Sequence, residues 1–159
     1  MEVQHGEQFS PTPADGEELR CRLALLRVPQ LGPATFRRLL AQCGDARSVL
    51  VAGRSVLLAA GLSEGGIAGL ARPDWDGADA DQFWAQQPGN HLIQMGDAHY
   101  PDQLLQHSSP PPILFVKGSP ALLADPQVAV VGSRNPTPGG RECAHAFSAY
   151  LAGYGMVIT

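Results

Sequence analysis

An apolar stretch that ends on a glycine constrains the fold of this chain more than any other feature. Residues 128–131 are small or β-branched and show no polar alternation, a pattern typical of a strand covered on both faces in a parallel sheet. Residues 139–153 then carry one apolar stripe at helical spacing, with Gly153 as a stop, and residues 156–159 resemble a second strand. The stripe consists of Cys143, Ala144, Phe147 and Leu151. The sequence therefore predicts a β-loop-α-β unit.

The loop of this unit carries groups suited to an anion. In open α/β sheets, ligands bind at the carboxyl ends of strands, beside the N-terminus of the next helix. Gly132 lets a ligand approach the backbone, Ser133 and Thr137 offer hydroxyl groups, and Arg134 can hold a phosphate through two parallel hydrogen bonds. These four residues form the predicted phosphate site. The same composition also suits a plain turn with a solvated arginine, and both interpretations stay open at this point.

Spacing argues against the two common phosphate loops. The interval from Gly132 to Gly139 does not match G-x-G-x-x-G, and no Lys-Ser/Thr pair ends the loop. NAD and ATP are therefore disfavoured, and we predict no cofactor. The cysteines lack a C-x-x-C pair and the histidines lack ligand spacing, so we predict no metal site and expect buried free thiols.

Composition and charge narrow the class of protein. The 159 residues suit one or two globular domains, and no apolar run approaches the ~20 residues of a membrane span. The acidic, polar start is unlike a secretory signal, so we expect a cytoplasmic protein without membrane contact. Residues 17–72 hold eight arginines against four acids, whereas residues 73–112 hold six aspartates and no lysine or arginine. This asymmetry is compatible with a modest nucleic-acid footprint, although the net charge of −4 argues against strong nonspecific duplex binding.

Helix signals divide the chain into four parts. We predict a disordered tail over residues 1–14, a compact helical module over 15–72, a linker over 73–90 with a connecting helix at 79–87, and a second domain over 91–159. The second domain has strand candidates at 92–95 and 113–116, on either side of a helix-sized segment at 101–106. Asp15 with Glu18 predicts a capping box. Further predicted N-caps are Asp45, Ser55 and Ser63, and predicted helix stops are Gly44, Gly53 and Gly61.

Residues 28–33 join two short helices with the apolar-x-Gly pattern of helix-hairpin-helix modules. In such modules the hairpin glycine, here Gly32, exposes backbone N–H groups to a DNA phosphate. Residues 61–63 resemble a weaker second copy. The alternative is a hairpin that only packs helices, and Pro33 favours it because proline has no N–H donor.

Three blocks of sequence, residues 28–40, 97–118 and 128–134, resemble the DNA processing protein A family (DprA, also called Smf). The resemblance extends from Leu19 to Thr159. It implies a mixed α+β and α/β protein, in which an all-helical SAM-like or helix-hairpin-helix module precedes the first part of a Rossmann-like parallel sheet. Family members continue beyond the second strand, so we expect a truncated N-terminal portion that leaves the sheet and the site incomplete. Such a piece should self-associate or order well only in its helical module.

The resemblance also implies a function. Members of the family bind incoming single-stranded DNA during natural transformation and help to load the RecA recombinase on it, without known enzymatic activity, and the full-length protein is expected to be a homodimer. Gly132, Ser133 and Arg134 would then hold a backbone phosphate, with Thr137 as a weaker candidate. The auxiliary DNA contacts would be Gly32, Arg37 and Arg38.

Two alternatives remain at this stage. Related Rossmann-like enzymes cleave nucleoside monophosphates at the N-glycosidic bond and need a carboxylate facing the phosphate loop. Asp125 and Glu142 are the acids near the loop in sequence, and neither lies in a recognisable catalytic motif. The other alternative is a protein-protein adaptor built on the helical module.

Overall fold

The computed structural model describes residues 13–159. The predicted tail therefore lies outside the described residues, except that Pro13 and Ala14 already belong to the first helix, which begins before the predicted Asp15. The helices are α1 (Pro13–Leu26), α2 (Pro33–Cys43), α3 (Ala46–Leu50), α4 (Arg54–Ala59), α5 (Glu64–Leu70), α6 (Trp75–Ala85), α7 (Asp102–Leu105) and α8 (Pro138–Ala152). The strands are β1 (Asn90–Gln94), β2 (Ile113–Lys117), β3 (Gln127–Val128) and β4 (Val157–Ile158), and a 3₁₀ helix covers Pro120–Ala124.

Helices α1 to α5 form the helical module, because their apolar faces meet in one core. The buried members of this core are Cys21, Leu25, Val28, Phe36, Leu39, Ala46, Val49, Leu57, Ala60, Leu62 and Leu70. Gly44 ends α2 with a φ of 93°, and the Asp45 carboxylate accepts a hydrogen bond from the Ser48 N–H at 2.6 Å, as an N-cap should. That bond holds the pKa of Asp45 below its usual range.

Two predicted caps are wrong. Ser55 lies inside α4, and Gly53, predicted as a stop, is the N-cap of that helix, since its carbonyl accepts from the amides of Val56 and Leu57. Asp15 lies in the first turn of α1, which begins at Pro13, so it does not occupy the N-cap position that the predicted capping box requires. The Glu18 carboxylate instead accepts from the Ala46 N–H at 2.9 and 3.1 Å, so it caps the N-terminus of α3. Tertiary packing of α1 against α3 thus overrides the local signal.

The connecting helix is α6, which begins at Trp75 rather than at residue 79 because Asp74 caps it through the Gly77 N–H at 2.9 Å. It packs along α1, where Ala78 is fully buried against Leu23 and Ala24. Ion pairs join the same two helices. They connect Arg20 with Asp79, and Arg27 with both Asp74 and Asp81.

Because of these ion pairs, the uneven distribution of charge along the sequence does not produce an equally uneven distribution in the folded protein. The aspartate-rich segment folds back on the arginine-rich one, so the two opposite charges neutralise each other in space. The hydrogen bond from Arg20 lowers the pKa of Asp79, as expected for a carboxylate with a cationic partner. Neither Arg20 nor Arg27 is therefore left as a free cation for a phosphate.

Strands β1 and β2 pair antiparallel, with Leu92 opposite Phe115. Two hydrogen bonds order the connection between them. The Gln94 N–H donates to the Asp97 carboxylate at 2.7 Å, and the Tyr100 hydroxyl donates to the Pro111 carbonyl at 2.6 Å. Tyr100 is buried, and burial raises the pKa of its phenol. The aspartate, tyrosine and prolines of the 97–118 block therefore act as a structural clasp over this sheet.

Strands β3 and β4 pair parallel, with α8 between them, which confirms the predicted β-loop-α-β unit. The Thr159 N–H donates to the Val128 carbonyl at 3.1 Å, and the Val130 N–H donates to the Thr159 carbonyl at 2.7 Å. The strand is shorter than predicted and is not covered on both faces, since Val131 is 89 % exposed. Among the described residues, none beyond Ile113 is buried.

The structure does not confirm the Rossmann-like parallel sheet predicted for residues 91–159. The described residues form two separate two-stranded sheets, and only the β3–β4 pair is parallel. Parallel neighbours need a crossover, usually a full helix. The connection from β1 to β2 offers only the four-residue α7 and a proline-rich turn, so the chain returns antiparallel. What the structure contains is a helical N-terminal domain followed by a few strands, a mixed α and β fold.

No helix within residues 13–159 combines the length and the apolar character needed to cross a membrane.

Candidate functional site

The predicted phosphate loop lies between β3 and α8 and borders an open cleft of about 810 Å³. Four of the lining positions belong to the N-terminal half of α8 and the rest to the loop before it. The lining residues are Val130, Val131, Gly132, Ser133, Asn135, Pro136, Thr137, Gly140, Arg141, Ala144 and His145. The structure thus brings together three of the four predicted site residues, Gly132, Ser133 and Thr137.

Thr137 is the N-cap of α8. Its Oγ1 accepts from the Gly140 N–H at 3.2 Å, and its carbonyl accepts from the Arg141 N–H at 3.0 Å. Pro138 has no N–H, so the first turn adds only the amide of Gly139, which makes no backbone hydrogen bond to the described residues. The positive end of the α8 dipole therefore lies at the start of the cleft, and the Thr137 hydroxyl hydrogen remains available to a ligand.

Ser133 and Gly132 supply the loop wall. The Ser133 Oγ accepts from the Asn135 N–H at 3.2 Å, which leaves the hydroxyl hydrogen available for a ligand. Gly132 has no positive φ, and a Cβ added there would meet no atom within 4 Å. The protein itself therefore does not require glycine at this position, and the space beside Gly132 is open to a ligand.

The basic side chains are arranged differently from the prediction. Arg134 is exposed in the loop but does not line the cleft, whereas Arg141 and His145 do. Sequence reasoning missed both, although their separation of four residues in a predicted helix signals a common face. Within residues 13–159, neither Arg134 nor Arg141 has an ion-pair partner.

The lining described by the structure contains no aspartate or glutamate. Asp125 and Glu142 are exposed and lie outside the cleft, so nothing here favours the N-glycosidase alternative. Across the described part of the chain, no group of three His, Cys, Asp or Glu residues could hold a metal ion. The three cysteines are free, and only Cys21 is buried, so the expectation of buried thiols is wrong for the exposed Cys143.

The auxiliary residues lie on the helical module. Gly32 is the N-cap of α2 and has no side-chain cap. In the same hairpin, Gln30 has a φ of 62°, and its Oε1 accepts from the Ser63 hydroxyl at 2.6 Å. A Cβ on Gly69 would stand 2.8 Å from Pro29 Cδ. The first hairpin thus packs closely on the N-terminal turn and glycine face of α5, as the packing interpretation requires.

Arg37 and Arg38 lie on the exposed face of α2. Arg37 donates to the Ser108 carbonyl at 3.3 Å, and Arg38 donates to Thr35 Oγ1 at 3.0 Å. The Arg37 contact connects the helical module to the proline-rich segment before β2, not to the phosphate loop. DNA contacts by Gly32, Arg37 and Arg38 remain predictions.

Comparison with known proteins supplies the identity that geometry alone cannot. Residues 91–159 match the family model of DNA recombination-mediator protein A, and residues 16–64 match the model of the DprA-like N-terminal HHH domain. Protein Smf of Escherichia coli (strain K12) is 41% identical over 76 residues, which is 48% of this chain and 20% of that protein. The match thus spans about a fifth of the length of this relative. The chain belongs to the DNA processing protein A (DprA/Smf) family.

Proposed function

We propose that this chain is a single-stranded DNA-binding part of a DNA-processing protein, and that the loop before α8 holds a backbone phosphate. The observation that carries the proposal is the cleft at the N-terminus of α8. It is lined by the Ser133 and Thr137 hydroxyls, and the part of its lining that the structure describes has no carboxylate. Hydroxyl donors and a helix N-terminus suit an anion, and Arg134 in the same loop has no ion-pair partner among the described residues.

Single-stranded DNA is the favoured form of nucleic acid. The net charge is −4, and the ion pairs between α1 and α6 neutralise part of the arginine-rich module. A duplex binder needs an extended basic surface, whereas a single strand can be held by a short groove with few phosphate contacts. Arg134 would act from the same loop, outside the cleft lining.

The wider role rests on family membership. We infer that the protein acts in natural transformation, where it would help to load RecA on incoming DNA in the cytoplasm as a homodimer and without catalysis. The parallel β3–α8–β4 unit would belong to a Rossmann-like sheet. The name of the matching family model, a recombination mediator, supports this role.

Fluorescence anisotropy with labelled oligo-dT tests the binding. We expect binding that weakens as salt rises, and weaker binding to a duplex of equal length. Arg134→Ala should reduce affinity for all sequences and lower the slope of log K against log salt by about 0.7, the value of one single-strand phosphate contact. Arg72→Ala, which removes an exposed arginine just after α5, is the matched control. Absence of salt-dependent oligo-dT binding by the unsubstituted chain would refute the proposed function.

A further inference from the structure

We propose that the cleft holds a second phosphate of the same strand, bound by Arg141 with His145, and that Arg141 is a DNA-contacting residue in its own right. The inference rests on the proposed function and adds a subsite to it. Its starting point is the lining of the cleft, which includes Arg141 and His145 and leaves out Arg134. The residue that the loop motif points to is therefore not the cation that borders the cavity.

The helix sets the position of Arg141. Its backbone N–H bonds to the Thr137 carbonyl at 3.0 Å, so the side chain starts from an ordered first turn. His145 follows one turn later on the same face, and Ala144 beside it is small enough to leave room for a ligand. Glu142, the next residue after Arg141, lies outside the lining.

The charge of Arg141 is not neutralised by the protein. Four arginines of the helical module, Arg20, Arg22, Arg27 and Arg54, form ion pairs with carboxylates. Arg141 has no such pair among the described residues, and no acid borders the described cleft. An unpaired guanidinium on a cavity wall is suited to a bidentate contact with a phosphate.

The spacing along α8 separates this contact from the first one. A helix rises ~1.5 Å per residue, so Arg141 stands about 6 Å along the axis from Thr137, and His145 about 6 Å farther. Neighbouring phosphates of an unstacked single strand lie farther apart than the ~3.4 Å rise per nucleotide of one duplex strand. The loop can therefore hold one phosphate while Arg141 holds the next.

Salt-dependent oligo-dT binding by the full chain tests the subsite. Arg141→Ala should lower the salt slope by about 0.7, and the double variant with Arg134→Ala by about 1.4, because each arginine contacts a separate phosphate. Arg141→Lys should keep the slope, since it keeps the charge, whereas a purely structural role would not be rescued by lysine. Arg72→Ala is the control, and circular dichroism of each variant checks that the fold is retained.

The outcomes separate this inference from the function on which it rests. The second subsite would be overturned if Arg141→Ala left the slope of log K against log salt unchanged while Arg134→Ala reduced it. That result would leave the proposed function standing. Loss of salt-dependent binding in the unsubstituted chain would overturn both. A lower slope for Arg141→Ala that lysine restores would support the subsite.

Discussion

Glu18 is the residue whose removal should most clearly reveal how the helical module is held together. Its carboxylate accepts two hydrogen bonds from the Ala46 N–H and pairs with Arg22 at 2.7 Å. Ala46 is fully buried, so the amide that Glu18 satisfies has poor access to water. Glu18→Ala therefore removes an acceptor that a different helix supplies to the first turn of α3, and it leaves a buried donor unsatisfied while Asp45 remains the N-cap.

The expected cost follows from these contacts. Removal of the carboxylate leaves the buried Ala46 N–H without its charged acceptor, which costs ~1–3 kcal/mol. The i,i+4 pair with Arg22 is partly exposed and contributes only ~0.3–0.5 kcal/mol. We expect a loss of about 2 kcal/mol in the free energy of unfolding, which corresponds to a fall of roughly 10 °C in Tm for a module of this size.

Thermal and urea denaturation followed by circular dichroism at 222 nm, a wavelength that reports helix, measures this loss. Glu17→Ala is the matched control, since Glu17 is an exposed acid one position earlier on the same helix and should change stability by less than ~0.5 kcal/mol. Glu18→Gln should fall between the two, because it keeps an acceptor oxygen but loses the charge. Equal stability of the Glu17 and Glu18 alanine variants would show that the carboxylate does not cap α3.

Two further substitutions test the clasp over the β1–β2 sheet and the packing of the first hairpin. Tyr100→Phe should cost about 1 kcal/mol at neutral pH, through loss of the hydrogen bond to Pro111. Burial raises the pKa of Tyr100 above 10.0, so the unfolded chain ionises first and this stabilisation is lost as pH rises beyond that value. Urea denaturation at neutral pH and at about pH 11 should show that the phenylalanine variant lacks this alkaline loss, and identical pH profiles would contradict the assignment. Gly69→Ala should destabilise by about 1–3 kcal/mol through overlap with Pro29. Gly16→Ala, inside α1 with no atom within 4 Å of the new Cβ, should instead stabilise by about 0.5–1 kcal/mol in the same melting experiment, and a similar shift for both would argue against close hairpin packing.

Local signals predicted much of the fold. Gly44, Asp45 and Ser63 mark helix boundaries because caps and left-handed glycines act within three or four residues. The β-loop-α-β unit could also be predicted from local signals, because an apolar run, a glycine and a stripe of apolar residues at helical spacing follow one another in sequence.

Contacts between residues far apart in the chain could not be predicted from the sequence. Glu18 accepts a hydrogen bond from a residue 28 positions away, in a different helix. In the connection between the antiparallel strands β1 and β2, Tyr100 bonds to Pro111, 11 residues away. Arg141, the arginine that lines the cleft, was not predicted for a different reason. The motif directed attention to the loop and Arg134, whereas the cavity wall is completed by α8, on which Arg141 and His145 share a face with Ala144.

The absence of buried residues beyond Ile113 in the described chain has a thermodynamic consequence for the β3–α8–β4 unit. Its strand residues Val128, Val157 and Ile158 are only half-buried. Phe147, Tyr150 and Tyr154, in α8 and its C-terminal turn, are exposed. Amides in such a setting belong to the low end of the range of opening free energies. A ligand that contacts both the loop and α8, as proposed above, would bind the folded unit and not the opened one, so part of its binding free energy would be used to order the unit. If the cleft holds DNA as proposed, its occupancy and the protection of the β3–β4 amides from hydrogen exchange would therefore be two measures of one coupled equilibrium.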